Sequence, residues 1–286
     1  ITLAGNELAL NGSLTITTGA QIDASEAGSR LWMSDSSPQD IPSGLLVTAV
    51  ANFYVENTGG VTVNSVMHIN EELDIKGGTL NTNGHITMDC FFDDEPTTGL
   101  KRRTAEIDEL FGTINGDVTV EQCYPGRRAF RFVSASTTGG TIHQHWQEDA
   151  TGWDKDPHDG YGTHITGLGL VPASGHAATP LGTGDQFQGL DWQPSGNPSM
   201  FTFNKTTQGW DPVLDTEDAT TAKLNAGDPY LMMIRGSRAV DLTTNASATF
   251  NTILRSTGTI APGDVTVTPG IGNDEFAFIG NPYHTA

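Results

Sequence analysis

The sequence predicts an all-β protein: a short N-terminal β-solenoid, then an antiparallel β-sandwich-like module with long loops. Three observations carry that expectation. Apolar and polar residues alternate from Ile1 to about Met88, the period of strands with one buried face. Turn residues are dense: the 34 glycines and 14 prolines make up about 17% of the chain, against a usual level near 12%. A helical stripe of apolar residues stands out in one stretch, residues 100–111.

The first part is expected over residues 1–122. Leu8, Leu10, Leu14, Ile16 and Ile22 are separated by Asn11-Gly12 and Thr18-Gly19. Val61, Val63, Val66, Ile69, Leu73, Ile75, Leu80 and Ile86 repeat the rhythm, broken by Gly59-Gly60, Gly77-Gly78 and Asn83-Gly84. Such pairs mark tight turns because they accept positive φ. The spacing fits an antiparallel meander, or a solenoid in which each coil buries its face on the next. The Thr and Asn residues between strands suit flat coil faces and favour the solenoid. Residues 30–50, with Asp35, Ser36, Ser37, Pro38, Asp40 and Pro42, read as an exposed loop leaving a coil. In LKRRTAEIDELF (100–111), Leu100, Ile107, Leu110 and Phe111 share one helical face, while Lys101, Arg102, Glu106, Asp108 and Glu109 face water. A helical insertion is therefore expected there. GTINGDVTV (112–120) resumes the strand rhythm.

The second part is expected over residues 123–286. Trp146, Trp153, Trp192 and Trp210 gather there. Strand-like runs cover 129–134, 199–204, 229–234, 240–244, 249–254, 264–268 and 275–279, joined by turns such as Asn197-Pro198 and Arg235-Gly236. That spacing suggests a sandwich or a related antiparallel fold. Residues 135–195 form a long glycine-rich stretch with little periodicity; loops of that length are usually functional or disordered. The tryptophans argue against disorder.

Composition limits the partners. With 14 basic and 34 acidic residues, the formal charge is −20. Nucleic acid and anionic membrane surfaces need a basic face, so neither is expected as a partner. No run of 18 apolar residues is present, so no membrane-crossing helix and no membrane insertion is expected. The opening ITLAGNELAL carries no basic n-region, so a signal peptide is expected to have been removed.

Few groupings suggest chemistry. Cys90 and Cys123 are the only cysteines. They are either two buried thiols or one disulfide closing a loop of about 30 residues, worth about 3 kcal/mol in the chain-entropy model. Asp149, Asp154, Asp156 and Asp159 precede Gly160 in DATGWDKDPHDGYG. Carboxylates so spaced can supply the oxygen ligands of calcium, although the order D-x-D-x-x-D-G is one residue longer than the usual calcium loop. The bland alternative is a solvated acidic turn. His143 and His145 in HQHW share one face if the segment is a strand, which suits a metal; otherwise they are hydrogen-bonding histidines beside a packed Trp146. Trp153, Tyr161 and Trp192 offer flat rings for stacking on sugars, or pack beneath the loops. Lys101, Arg102, Arg103, Arg127 and Arg128 form a basic band that pairs internally or meets the acidic surface of another molecule. There is no GxSxG, HExxH or GxxxxGK[ST], and residues 1–88 hold only Arg30 and Lys76 as basic residues. No enzymatic activity is expected.

GTINGDVTVEQCYPGRRAFRFVSAS, TIHQHWQE, GYGTHITG, GNPSMFTFN, AGDPYLMMIRGSRAVDLTT and FAFIGNPY resemble, in order, a β-rich module of large secreted proteins of Bacteroidota. The resemblance covers roughly residues 112–286, and the preceding hundred residues match the β-repeats that come before that module. It implies a secreted or cell-surface location, with a type IX sorting domain further downstream, and no established activity. Cys123 stands where the family carries a basic or other polar residue, which supports pairing with Cys90. The family continues through more strands beyond Tyr283-His284-Thr285-Ala286, so the resemblance implies more chain or completion by another molecule. The expected function is a non-enzymatic extracellular structural or adhesive protein that self-associates into a fibre or surface layer, or binds other cell-surface proteins. The alternative is a carbohydrate-binding module. Calcium is the one cofactor considered.

Overall fold

The computed structural model describes residues 1–95, 99–108, 110–150, 157–171, 188–244, 246–261, 263–268, 272 and 275–284. The chain divides into two units. Unit 1 takes residues 1–122, 257–265 and 283–286; unit 2 takes residues 123–256 and 266–282.

Unit 1 is a parallel β-solenoid. Its strands are β1 (Glu7–Leu10), β2 (Ile22–Ala24), β3 (Arg30–Met33), β4 (Gln39–Ile41), β5 (Leu46–Val63), β6 (Met67–Asn81), β7 (Ile86–Met88), β8 (Cys90–Glu95), β9 (Gly99–Thr104), β10 (Glu106–Ile107), β11 (Thr113–Asn115) and the start of β12 (Val118–Tyr124). They form three stacks. β2, the start of β5, the start of β6, β7 and β12 make the first. β1, β3, the middle of β5, the middle of β6 and β10 make the second. β4 and the ends of β5 and β6 lead to β11 in the third. In the second stack Leu8 lies beside Leu31, Leu31 beside Phe53, Phe53 beside Leu73, and Leu73 beside Ile107. The steps are 23, 22, 20 and 34 residues. The last is longer because the antiparallel hairpin β8–β9 is inserted before the coil resumes.

The alternating pattern fills the inside. Leu31, Phe53, Leu73, Val50, Ile69, Met88, Val61 and Leu80 are all fully buried in one core. Like residues then repeat at the strand spacing of about 4.8 Å. A polar rung also lies inside: the Asn57 amide donates to Ser37 O (3.0 Å) and Gln39 Oε1 (2.7 Å), and Gln39 donates to Leu10 O and Gly12 O. These bonds satisfy backbone carbonyls where the coils turn and the ladder is broken. Gly78 turns the same corner at φ +81, and a β-carbon there would run into the Asn57 carbonyl oxygen.

Three expectations for this unit are corrected. Residues 30–50 are mostly rungs (β3, β4 and the start of β5), with an exposed bend at 36–37 and a turn at 43–44. Val66 is exposed. Among the described residues of 100–111 none is helical: β9 pairs with β8, and Glu106-Ile107 adds to β6. The hairpin and the next coil each offer these residues a sheet partner, and tertiary pairing overrides a weak helical preference.

Unit 2 has mixed and antiparallel sheets in a sandwich-like module with long loops. Its elements are β13 (Ala129–Val133), β14 (Thr137–Thr141), helix α1 (Ile142–Trp146), β15 (Met200–Asn204), β16 (Gly209–Pro212), β17 (Lys223–Leu224), β18 (Tyr230–Ile234) and the start of β19 (Thr252–Ile260). β13, β18, β15 and β16 form an antiparallel sheet in that order. Val133, Met200, Tyr230, Met232 and Ile234 face a core that includes Trp146, Leu254 and Ile165. Residues 240–244, 264–268 and 275–279, read as strands in the sequence, have no strand structure. His143 and His145 sit on α1, so they do not share a strand face. Thr141 and Gln144 close a capping box there, with Gln144 N–H donating to Thr141 Oγ1 (3.2 Å) and Thr141 N–H to Gln144 Oε1 (3.0 Å).

Candidate functional site

The exposed face of the four-stranded sheet is aromatic. Residues alternate across a strand, so the strands that turn Val133 and Met200 inward turn Phe132, Phe201 and Phe203 outward. Phe203 is registered opposite Trp210. Phe278 caps the group from residues 275–280. It stacks on Phe132 at 5.0 Å and 21°, and meets Phe203 at 4.9 Å and Trp210 at 4.8 Å. Phe132 remains 63% exposed and Phe278 36%. A depression of about 260 Å³ adjoins the ledge, with Lys205, Asp228 and Thr268 among the groups around it. Exposed rings rimmed by polar groups mark an interaction surface.

A second cluster lies on the outer face of unit 1. Glu72 and Asp74 project from β6 and Asp108 follows β10; one oxygen from each lies within 4.8 Å of the others. Such a triad can coordinate a divalent cation such as calcium. Tyr54, registered beside Asp74, donates its hydroxyl to Glu72 Oε2. Burial and the Glu72 hydrogen bond raise the Tyr54 phenol above its usual value, so it stays a donor. Lys76 Nζ lies 2.6 Å from Asp74 Oδ2 and 3.9 Å from Asp108 Oδ2. Its hydrogen bond to Asp74 raises the amine above its ordinary value.

The sequence candidates fall out as follows. Neither cysteine is free, and Cys90 and Cys123 are both disulfide-bonded. Asp154, Asp156 and Trp153 lie outside the described residues. Asp149 is exposed and sits 3.7 Å from His143 Nδ1; Asp159 is exposed. Among the described residues, the one acid triad close enough to share an ion is Glu72, Asp74 and Asp108. Trp192 is 3% exposed, so its ring packs inside and offers no stacking face. Arg255 covers Tyr161, its guanidinium carbon 4.8 Å from the ring centroid. Lys101, Arg102 and Arg103 lie on β9, in register with Asp93, Phe92 and Phe91. Arg127 is exposed in unit 2, and Arg128 donates to Thr244 O (3.2 Å).

One constellation escaped the sequence reading. Asp191 and Arg238 are fully buried and joined twice, Nη2 to Oδ1 at 2.8 Å and Nη1 to Oδ2 at 2.9 Å. His164 Nδ1 lies 3.3 Å from Asp191 Oδ2, and Ile165 N–H donates to the same oxygen (3.0 Å). Nothing in this group reaches solvent, so it holds unit 2 together and has no access to substrate. The segments GYGTHITG and IRGSRAV supply His164 and Arg238, but no periodic pattern links them to Asp191.

No family model, curated protein or solved structure matches the chain. The architecture itself, a β-solenoid followed by a sandwich-like module, is that of a broad class of β-repeat and β-sandwich surface proteins.

Proposed function

We propose that this is a non-enzymatic extracellular adhesive or structural protein. Unit 1 serves as a rigid scaffold, and unit 2 holds a polysaccharide on its aromatic ledge. The observation that carries this reading is the cluster of Phe132, Phe203, Trp210 and Phe278 at the surface of a rigid sheet. Planar rings match the apolar faces of pyranoses, and Lys205, Asp228 and Thr268 provide polar groups beside them. The sequence resemblance to secreted Bacteroidota proteins supports the location. A glycan array identifies the ligand, and calorimetry with Trp210→Ala and Phe132→Ala tests the site. Each change is expected to weaken binding about fivefold or more, since a stacked ring contributes on the order of 1–2 kcal/mol. A glycan whose affinity is unmoved by both changes would remove the ledge from the function.

A second reading, self-association, rests on another surface. Leu8, Leu10, Leu14 and Ile16 are only half-buried around an open cup of about 580 Å³ at the first coil. Among the described strands, β1 has one neighbour, β3. Such an apolar face is one on which a further β-coil stacks, and in self-association that coil comes from another copy.

A further inference from the structure

We propose that Glu72, Asp74 and Asp108 form a calcium site in which the Lys76 ammonium is an exchangeable stand-in for the metal. Asp74 points outward, between Leu73 and Ile75 that point into the core, yet it is only 1% exposed. Its Oδ2 takes Lys76, while its Oδ1 is buried without a hydrogen-bond partner. A buried carboxylate oxygen left unsatisfied is costly, and a hard cation satisfies it directly. The ligand oxygens all lie within 4.8 Å of one another, close enough to share a calcium ion, whose opposite ligands stand about 4.6–5.2 Å apart. With the ammonium swung away the three carboxylates carry a formal charge of −3, of which a divalent ion offsets two where the ammonium offsets one. Lys76 is exposed on a flexible stem, so its ammonium can swing into water without unpacking the core.

The surroundings orient the ligands. Tyr54 holds Glu72, and the Arg30 guanidinium lies 4.2 Å from the Tyr54 ring centroid. Asp108 N–H donates to Leu73 O at 3.0 Å, which places the Asp108 carboxylate against β6. Glu72 and Asp74 precede the inserted hairpin and Asp108 follows it. The ion therefore ties the coil that resumes after the insertion to the coil before it.

Terbium, a luminescent calcium substitute, tests this on the full chain. Tyrosine excitation is expected to give saturable emission that calcium displaces. Asp108→Asn, at an exposed position, is expected to weaken terbium binding about tenfold or more, and Lys76→Gln to tighten it severalfold, because an opposing charge is removed. Tyr54→Phe, which removes both the sensitising phenol and the hydrogen bond that holds Glu72, is expected to lose most of the emission and to reduce the calcium-induced rise in Tm. Emission and Tm shifts that persist unchanged in both Asp108→Asn and Asp74→Asn would overturn the site. Unchanged affinity in Lys76→Gln would overturn the exchange.

Discussion

A carboxylate with no exposed surface keeps its charge only when fixed charges and donors replace water. Burial pushes the Asp191 carboxyl up, but Arg238 and His164 overcome it and hold the group well below its ordinary value. Asp191→Asn leaves Arg238 charged and half-paired inside unit 2, and is expected to cost about 3–5 kcal/mol in urea unfolding at neutral pH. The pH dependence has a definite sign. A depressed carboxyl contributes stability above its unfolded value, near 3.9, that is lost as pH falls below it. His284 in unit 1 acts earlier: burial lowers its imidazole from 6.5 to about 4. The unfolded chain therefore binds the extra proton first, and stability present above about 6.5 is lost as pH falls toward 4, by about 3 kcal/mol at most. Urea midpoints between neutral pH and pH 4 are expected to drop, and His284→Gln to flatten that drop; an equal drop in the variant would exclude His284 as its source.

At the scale of elements, the strand rhythm was legible because one alternation repeats in every coil. Val61, Val63, Ile69, Leu73, Ile75, Leu80 and Ile86 are all buried as the pattern requires. The insertion was not legible: Leu100 to Phe111 mixes the return strand of a hairpin with the next rung, and the two together mimic a helical stripe. The short helix lies unread inside the stretch 135–195, although Thr141-x-x-Gln144 is a capping box in sequence as well as in structure. The aromatic ledge was illegible because its rings come from β13, β15, β16 and the 275–280 segment, which only the sheet order brings together. The corners are more exacting than the rungs. Gly78→Ala places a β-carbon at positive φ against the Asn57 carbonyl. It is expected to destabilise unit 1 by about 2–4 kcal/mol, whereas Gly84→Ala, which meets nothing within 4 Å, is expected to cost only the strain of its φ. Urea midpoints of the two variants decide whether steric contact at the corner or backbone conformation dominates.

For the whole molecule, a charge of −20 decides how the proposed self-association responds to salt. Two contacts make opposite demands. Stacking through the apolar cup of the first coil brings like-charged molecules together, so screening strengthens it; the Debye length shrinks from about 30 Å at 0.01 M to about 10 Å at 0.1 M salt. A head-to-tail contact between the basic band and an acidic surface is attractive at long range, so salt weakens it. The proposed contact is the first. Arg102 and Arg103 already have partners within the chain, and Arg128 is tied to a backbone carbonyl. The cup, in contrast, leaves Leu10, Leu14 and Ile16 half-covered. Sedimentation velocity is therefore expected to show association rising with sodium chloride. Leu14→Asp should abolish it, by placing a charge where an apolar contact forms, while Arg102→Ala with Arg103→Ala should leave it intact. Association that falls with salt and vanishes with the arginines would transfer the contact from the cup to the basic band.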